Sequence, residues 1–183
     1  MLTYRRTRRL SMRIAKNGDV HVSAPIAMSK MEVERFINQH QDWIAEATKK
    51  TAERLNQRAA FYNQLQLTTK EQKAEAVRRL EALVNPMIEQ HAKVMGVNPS
   101  SVNYKPMISR WGMCKMKDRS ISFSIYLLLL PNWCIEHVVV HELCHLLEPS
   151  HNARFHALMD KFFPLWREAR KETRRVAKKD YGN

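Results

Sequence analysis

One stretch, His141-Glu142-Leu143-Cys144-His145, restricts the chain more than any other. On an α-helix, residues four apart lie one above the other, so His141 and His145 can share a single metal ion. Glu142 falls about 100° round the helix from His141 and about 60° from His145. It therefore flanks the ion and can reach a water molecule there without ligating the metal. Two imidazoles, a further ligand and a nearby carboxylate are what a zinc hydrolase requires. Ile135, Val139, Leu143, Leu146 and Leu147 fall on the face away from the two histidines, so the sequence predicts an amphipathic helix anchored in a core, with the histidines on its polar side.

The chain has eight histidines, and geometry sorts them. His137 stands at the i, i+4, i+8 spacing with His141 and His145, yet eight residues of helix rise about 12 Å. Two ligands of one zinc are only about 4 Å apart. His137 is thus read as a polar-face or entrance residue. His151 follows Glu148-Pro149-Ser150, a segment able to end the helix and bring the chain back toward the metal from a new direction. His156, about 140° further round on the next helix, is a weaker ligand candidate that can line a cleft.

The remaining elements follow from patterning. Leu10, Met12 and Ile14, then Val20, Val22 and Ala24, alternate with polar or small residues around Lys16-Asn17-Gly18-Asp19, which predicts an N-terminal β-hairpin with a type I′ turn. Ser29 with Glu32 forms a capping box for a helix from Lys30 to at least Ala47, with a less clearly patterned connection over 48–67. Thr68 with Glu71 is a second capping box, opening a helix that Gly96 ends and Pro86 interrupts or kinks. Two strands are expected across 102–108 and 121–125, joined by a turn at 117–120. The histidine helix begins near Trp133. A helix capped by Ser150 or Asn152 comes next, then a basic tail helix beyond Pro164. The sum is an α+β chain with an N-terminal hairpin and helical appendage (1–67) and a catalytic domain (68–183) that carries a basic C-terminal helix.

Composition matters mainly through charge. The net formal charge is +13, with six Lys/Arg and no acid in residues 1–16 and seven Lys/Arg against three acids in 166–183. Such ends attract polyanions, nucleic acid included, or serve only as solvated faces. Cys114, Cys134 and Cys144 form no C-x-x-C pair, which excludes a cysteine zinc knuckle and fits reduced thiols in a cytoplasmic protein. The Arg-rich start has no apolar run behind it, and Tyr126 to Leu130 is too short to span a bilayer, so neither a secretory signal nor a membrane anchor is expected.

The pattern Arg110-Trp111-Gly112-Met113-Cys114, then a strand, then His141 to Phe155 in the form H-E-L-x-H-x5-H-x3-F resembles the YgjP-like zinc metallopeptidases of the zincin group, relatives of the SprT-like and WLM domains. The N-terminal hairpin and the helix with Asp42-Trp43-Ile44 extend the resemblance over nearly the whole chain. It implies a zincin-like α+β fold, an active-site helix packed on a small sheet, zinc on His141, His145 and His151, and Glu142 as general base. Glu148 stands where the metzincins have a turn glycine, which argues against that group. The expected activity is hydrolysis of peptide or protein substrates by a zinc-activated, Glu142-deprotonated water. Tyr126, Arg110 and His156 are the candidates for stabilising the oxyanion. Two alternatives use the charge differently: a metal-dependent nucleotide or phosphoester hydrolase, and a nucleic-acid-associated protein with a weakly active zinc site.

Overall fold

Capping chemistry and strand patterning divide the chain into short elements, seen here in a computed structural model that describes residues 1–15 and 17–179. Contacts group these elements into one unit over Met1–Ala59 and a second over Ala60–Asn183.

In the first unit, β2 (Ser11–Ile14) and β3 (Val20–Pro25) form the expected antiparallel hairpin, and Gly18 supplies the turn's positive φ of 91°. Lys16, part of the expected turn, lies outside the described residues. A strand not foreseen, β1 (Leu2–Arg5), adds in parallel to the other edge of β3, giving the order β1-β3-β2. Its four residues are too few for alternation to show. The Ser29–Glu32 capping box opens α1 (Lys30–Gln39) as expected. The helix does not run on to Ala47: His40 leaves helical geometry at φ −116° while its ring Nδ1–H donates to the Phe36 carbonyl, and α2 (Gln41–Asn63) starts afresh. That helix then continues through most of the stretch read as a connection. The core of this unit is small: Val22, Ala24 and Val33, flanked by Leu10, Met12, Val20, Met28 and Ile37.

The second unit holds the larger core. Its first long helix, α3 (Lys70–Met95), is capped by Thr69 with Gln72, one residue later than the Thr68–Glu71 box read from the sequence. Gln72 Oε1 accepts from the backbone N–H of both Thr68 and Thr69, which settles the choice of cap. Gly96 closes the helix in the left-handed region at φ 67°. Pro86 sits inside the helix without ending it.

Three strands follow where two were expected. β4 (Ser101–Lys105) pairs in parallel with β6 (Ser120–Ser124), and β5 (Gly112–Lys115) pairs with β6 antiparallel, so the order is β4-β6-β5. Met107 and Ile108 lie outside the strands, and Ile125 begins a 3-10 helix through Leu129. Every residue of β6 is buried, as befits a central strand covered on both faces. Beyond it lie α4 (Asn132–His145), α5 (Ala153–Phe162, capped by Asn152) and α6 (Trp166–Lys179).

The amphipathic expectation for α4 needs correction. Nine of its fourteen residues are buried, His137 and Glu142 among them, so the helix meets solvent only at Asn132 and Trp133 and in part at Glu136, His141 and His145. Its histidines face the interior wall of a cleft. The basic helix is likewise no tail: Trp166, Ala169 and Thr173 of α6 are buried, and the Cys134 thiol of α4 donates to the Ala169 carbonyl at 3.6 Å. The residues beyond Lys179 lie outside the described part of the chain.

Candidate metal centre and cleft

The helical i, i+4 spacing brings His141 and His145 onto one side of α4, with ring centroids 4.9 Å apart. After His145 the chain leaves the helix through Leu146 to Ser150, and the reversal carries His151 back over the same side. His151 Nε2 lies 3.0 Å from His141 Nε2. One ligand atom from each of the three histidines falls within 4.8 Å of the other two, close enough for one ion to touch all three.

The three rings share a floor. Phe155, almost fully buried, places its centroid 4.9 Å from His141, 4.7 Å from His145 and 4.7 Å from His151. His145 Nδ1 lies 3.1 Å from the Glu148 carbonyl oxygen. Since a carbonyl only accepts, Nδ1 carries the proton and donates, which leaves the Nε2 lone pair for a ligand. Burial, reinforced by the neighbouring histidines and Arg170, depresses the pKa of His141 to about 3, and burial lowers that of His145 too. Both rings are therefore neutral near pH 7, as metal ligation requires. The donor set fits a divalent metal of imidazole preference.

Glu142 is 5 % exposed. Burial pushes its carboxyl up to about 8, opposed by a hydrogen bond from the Cys114 backbone N–H and by the Arg110 charge. It is held by a close approach of β5: a Cβ at Gly112 would stand 2.6 Å from Glu142 Cγ, 2.7 Å from Cδ and closer still to Oε1. Only a residue without a side chain fits there.

Two cavities meet at this point, one of about 620 Å³ and one of about 430 Å³, and Arg110, Gly112, His141, Glu142 and His151 line both. Together they make one cleft passing over the histidines. The smaller side runs along β5, including Met113 and Cys114, and β5 is an edge strand. Cys114 is held as a thiol, its pKa pushed to about 11 mainly by burial. Cys144 is fully buried, with burial raising it to about 12, and serves packing. Of the three oxyanion candidates, Arg110 and His156 line the larger cavity, whereas Tyr126 packs its ring 4.6 Å from Tyr62.

Sequence reasoning misjudged two features here. His137 is neither a polar-face nor an entrance residue: it is 7 % exposed, in the wall of the larger cavity. Arg170, Thr173 and Arg174 of α6 reach the same cavity. Trp166, Arg170, Thr173 and Arg174 recur at helical spacing, a signal present in the sequence but unreadable without knowing what the face meets.

The family profile described as YgjP-like, metallopeptidase domain, matches residues 8–75 and 63–176, nearly the whole chain. The chain belongs to the YgjP-like metallopeptidase family. As a YgjP-like protein it is a metal-dependent hydrolase acting on peptides or proteins. Two of the solved structures similar to it are metallopeptidase zymogens. One is the metallopeptidase zymogen of Pyrococcus abyssi abylysin, at 23% identity and TM-score 0.46, covering 55% of this chain and 97% of that one. The other is the metallopeptidase zymogen of Methanocaldococcus jannaschii jannalysin, at 17% identity and TM-score 0.41, covering 52% of this chain and 91% of that one. No curated protein matches this YgjP-like chain. No helix among its described residues is long and apolar enough to cross a membrane.

Proposed function

We propose that His141, His145 and His151 hold one catalytic zinc ion, and that Glu142 is the general base of peptide-bond hydrolysis. The observation that carries this reading is the convergence of three imidazoles, their ligand atoms within 4.8 Å, beside a buried carboxylate. Zinc held by these three histidines would supply Lewis acidity, acidifying a water molecule and polarising the scissile carbonyl. Glu142 takes a proton from the attacking water as oxygen adds to the carbonyl carbon, then delivers it to the amine nitrogen as the C–N bond breaks. Gly112 and the Cys114 N–H hold the carboxylate on the histidine side of the cleft. Arg110 and His156 line the cleft where they can stabilise the oxyanion. β5 is an edge strand, and apart from the Cys114 N–H that holds Glu142, its outer edge offers an extended peptide backbone partners.

Three imidazoles with a single carboxylate suit one zinc ion better than the paired magnesium ions of phosphoester hydrolysis, which require oxygen ligands. Binding of nucleic acid by the basic ends rests on charge alone, and part of that charge lies in the cleft. We place the protein in the cytoplasm, where three free thiols are kept reduced.

The test pairs metal analysis with peptide cleavage. Wild type should hold one zinc per chain and cleave peptides. Glu142→Gln should keep the zinc and lose activity by about 10²- to 10⁴-fold. Either a chain without stoichiometric zinc or a Glu142→Gln protein of undiminished activity would overturn the proposal.

A further inference from the structure

The larger cavity has a chemical bias that peptide hydrolysis itself does not explain. Three arginines, Arg110, Arg170 and Arg174, each also exposed to solvent, line it, and Glu142 is its one carboxylate. Among the described residues none of the three arginines is in an ion pair. They come from two separate segments, the approach to β5 and helix α6, and converge beside the metal centre. In the wall of the same cavity His137 is 93 % buried, and neither of its ring nitrogens has a hydrogen-bond partner. A buried polar group left unmatched is destabilising. Neutral imidazole offers one N–H donor and one acceptor, so an N–H in this wall lacks an acceptor.

An anionic oxygen ligand answers both features. Guanidinium forks bind a carboxylate through two parallel N–H···O bonds, and the imidazole N–H, which has no surface open to the cavity, adds a third donor on a turn of its ring. The His137 ring lies 6.0 Å from that of His141, about two residues of extended chain. A group bound there belongs to the residue at the scissile bond or its immediate neighbour. We propose that this cavity is a specificity subsite for a peptide carboxylate, an acidic side chain or the C-terminal carboxylate flanking the scissile bond, read by Arg110, Arg170, Arg174 and His137. The walls of Trp111 and Trp166 confine the chain that carries it. The inference rests on the peptidase reading and names its preferred substrates.

The experiment uses the zinc-loaded full chain and peptides in pairs that differ only as Glu against Gln near the scissile bond, each with a free and an amidated C-terminus. Carboxylate-bearing peptides should be cleaved with kcat/KM about tenfold or more above their neutral twins. A preference that survives amidation assigns the side chain, and one that amidation abolishes assigns the C-terminus. In Arg170→Gln/Arg174→Gln and in His137→Phe the ratio should collapse toward one, and Arg170→Lys should restore part of what Arg170→Gln loses. Lys171→Gln removes the same charge from α6 outside the cavity and should leave the ratio unchanged. Calorimetric titration of the Glu142→Gln protein with the same pairs measures the preference without turnover. If wild type cleaves nothing, the peptidase reading fails, while titration still decides the subsite. Equal handling of all twins, a preference that outlasts both arginine replacements, or tighter binding of a nucleoside triphosphate than of the acidic peptide overturns the proposal.

Discussion

Gly112 shows how much of the proposed chemistry depends on one absent methyl group. Replacing it with alanine pushes a carbon into Glu142 Cγ and Cδ, so the carboxylate must swing away. Displacement of a reacting group by about 1 Å can cost on the order of 10²-fold in rate. Gly112→Ala should therefore lower kcat by about that factor while the zinc content, measured by metal analysis, stays at one, because the nearest atoms to the added carbon all belong to Glu142. Glu142 itself makes a second prediction. Its folded pKa of about 8 stands above the unfolded 4.5, so the protonated form favours the fold. This stabilisation is fully present below pH 4.5 and is lost as the pH rises through 8. Metal-free Glu142→Gln should melt higher than metal-free wild type at pH 9, with the gap closing toward pH 4.5. A constant gap across that range rejects the burial account. His141, Glu142 and His145 were legible as a group because their relations are local, fixed by 3.6 residues per turn, and His151 through the helix-ending Glu148-Pro149-Ser150 before it. The Gly112 contact joins residues thirty apart and could not be read from spacing.

Elements were legible where a cap or an alternation marks them. Asn17-Gly18, Ser29 with Glu32, Gly96 and Asn152 each punctuate the chain where the sequence puts them. β5 showed no alternation, because four residues against a buried neighbour need none, and the break at His40 was hidden because the helical pattern runs on through it. Pro86 is the opposite case, a helix breaker overruled by its surroundings. Leu80, Val84 and Ile88, all buried, hold α3 to the core across it, and packing offsets the missing N–H. Pro86→Ala at this exposed position restores a helical hydrogen bond, and thermal unfolding should report a gain of about 1–3 kcal/mol. A loss of stability would mean that the proline fits a bend the helix needs.

At the scale of the whole molecule, the class α+β followed from the sequence, whereas the depth of burial did not. A helix bearing three histidines and two glutamates looks amphipathic on paper, yet α4 lies within the core. The buried histidines set the acid limit of the metal-free protein. His141 falls to about 3 and His137 to about 4 from an unfolded 6.5. Between those values the unfolded chain takes up protons that the fold refuses, so stability should decline as the pH drops from 6.5 toward 4. Denaturant melts of metal-free protein across that window check the slope, and His137→Phe should flatten it. The three histidines also differ in how firmly they are mounted. Two sit on α4, among the residues whose amides should exchange only with global opening, while His151 rides an exposed turn between α4 and α5. Ion release should then begin by excursion of the 148–152 turn, which detaches one donor and leaves two. Its rate would follow the local exchange kinetics of that turn rather than the unfolding rate of the domain.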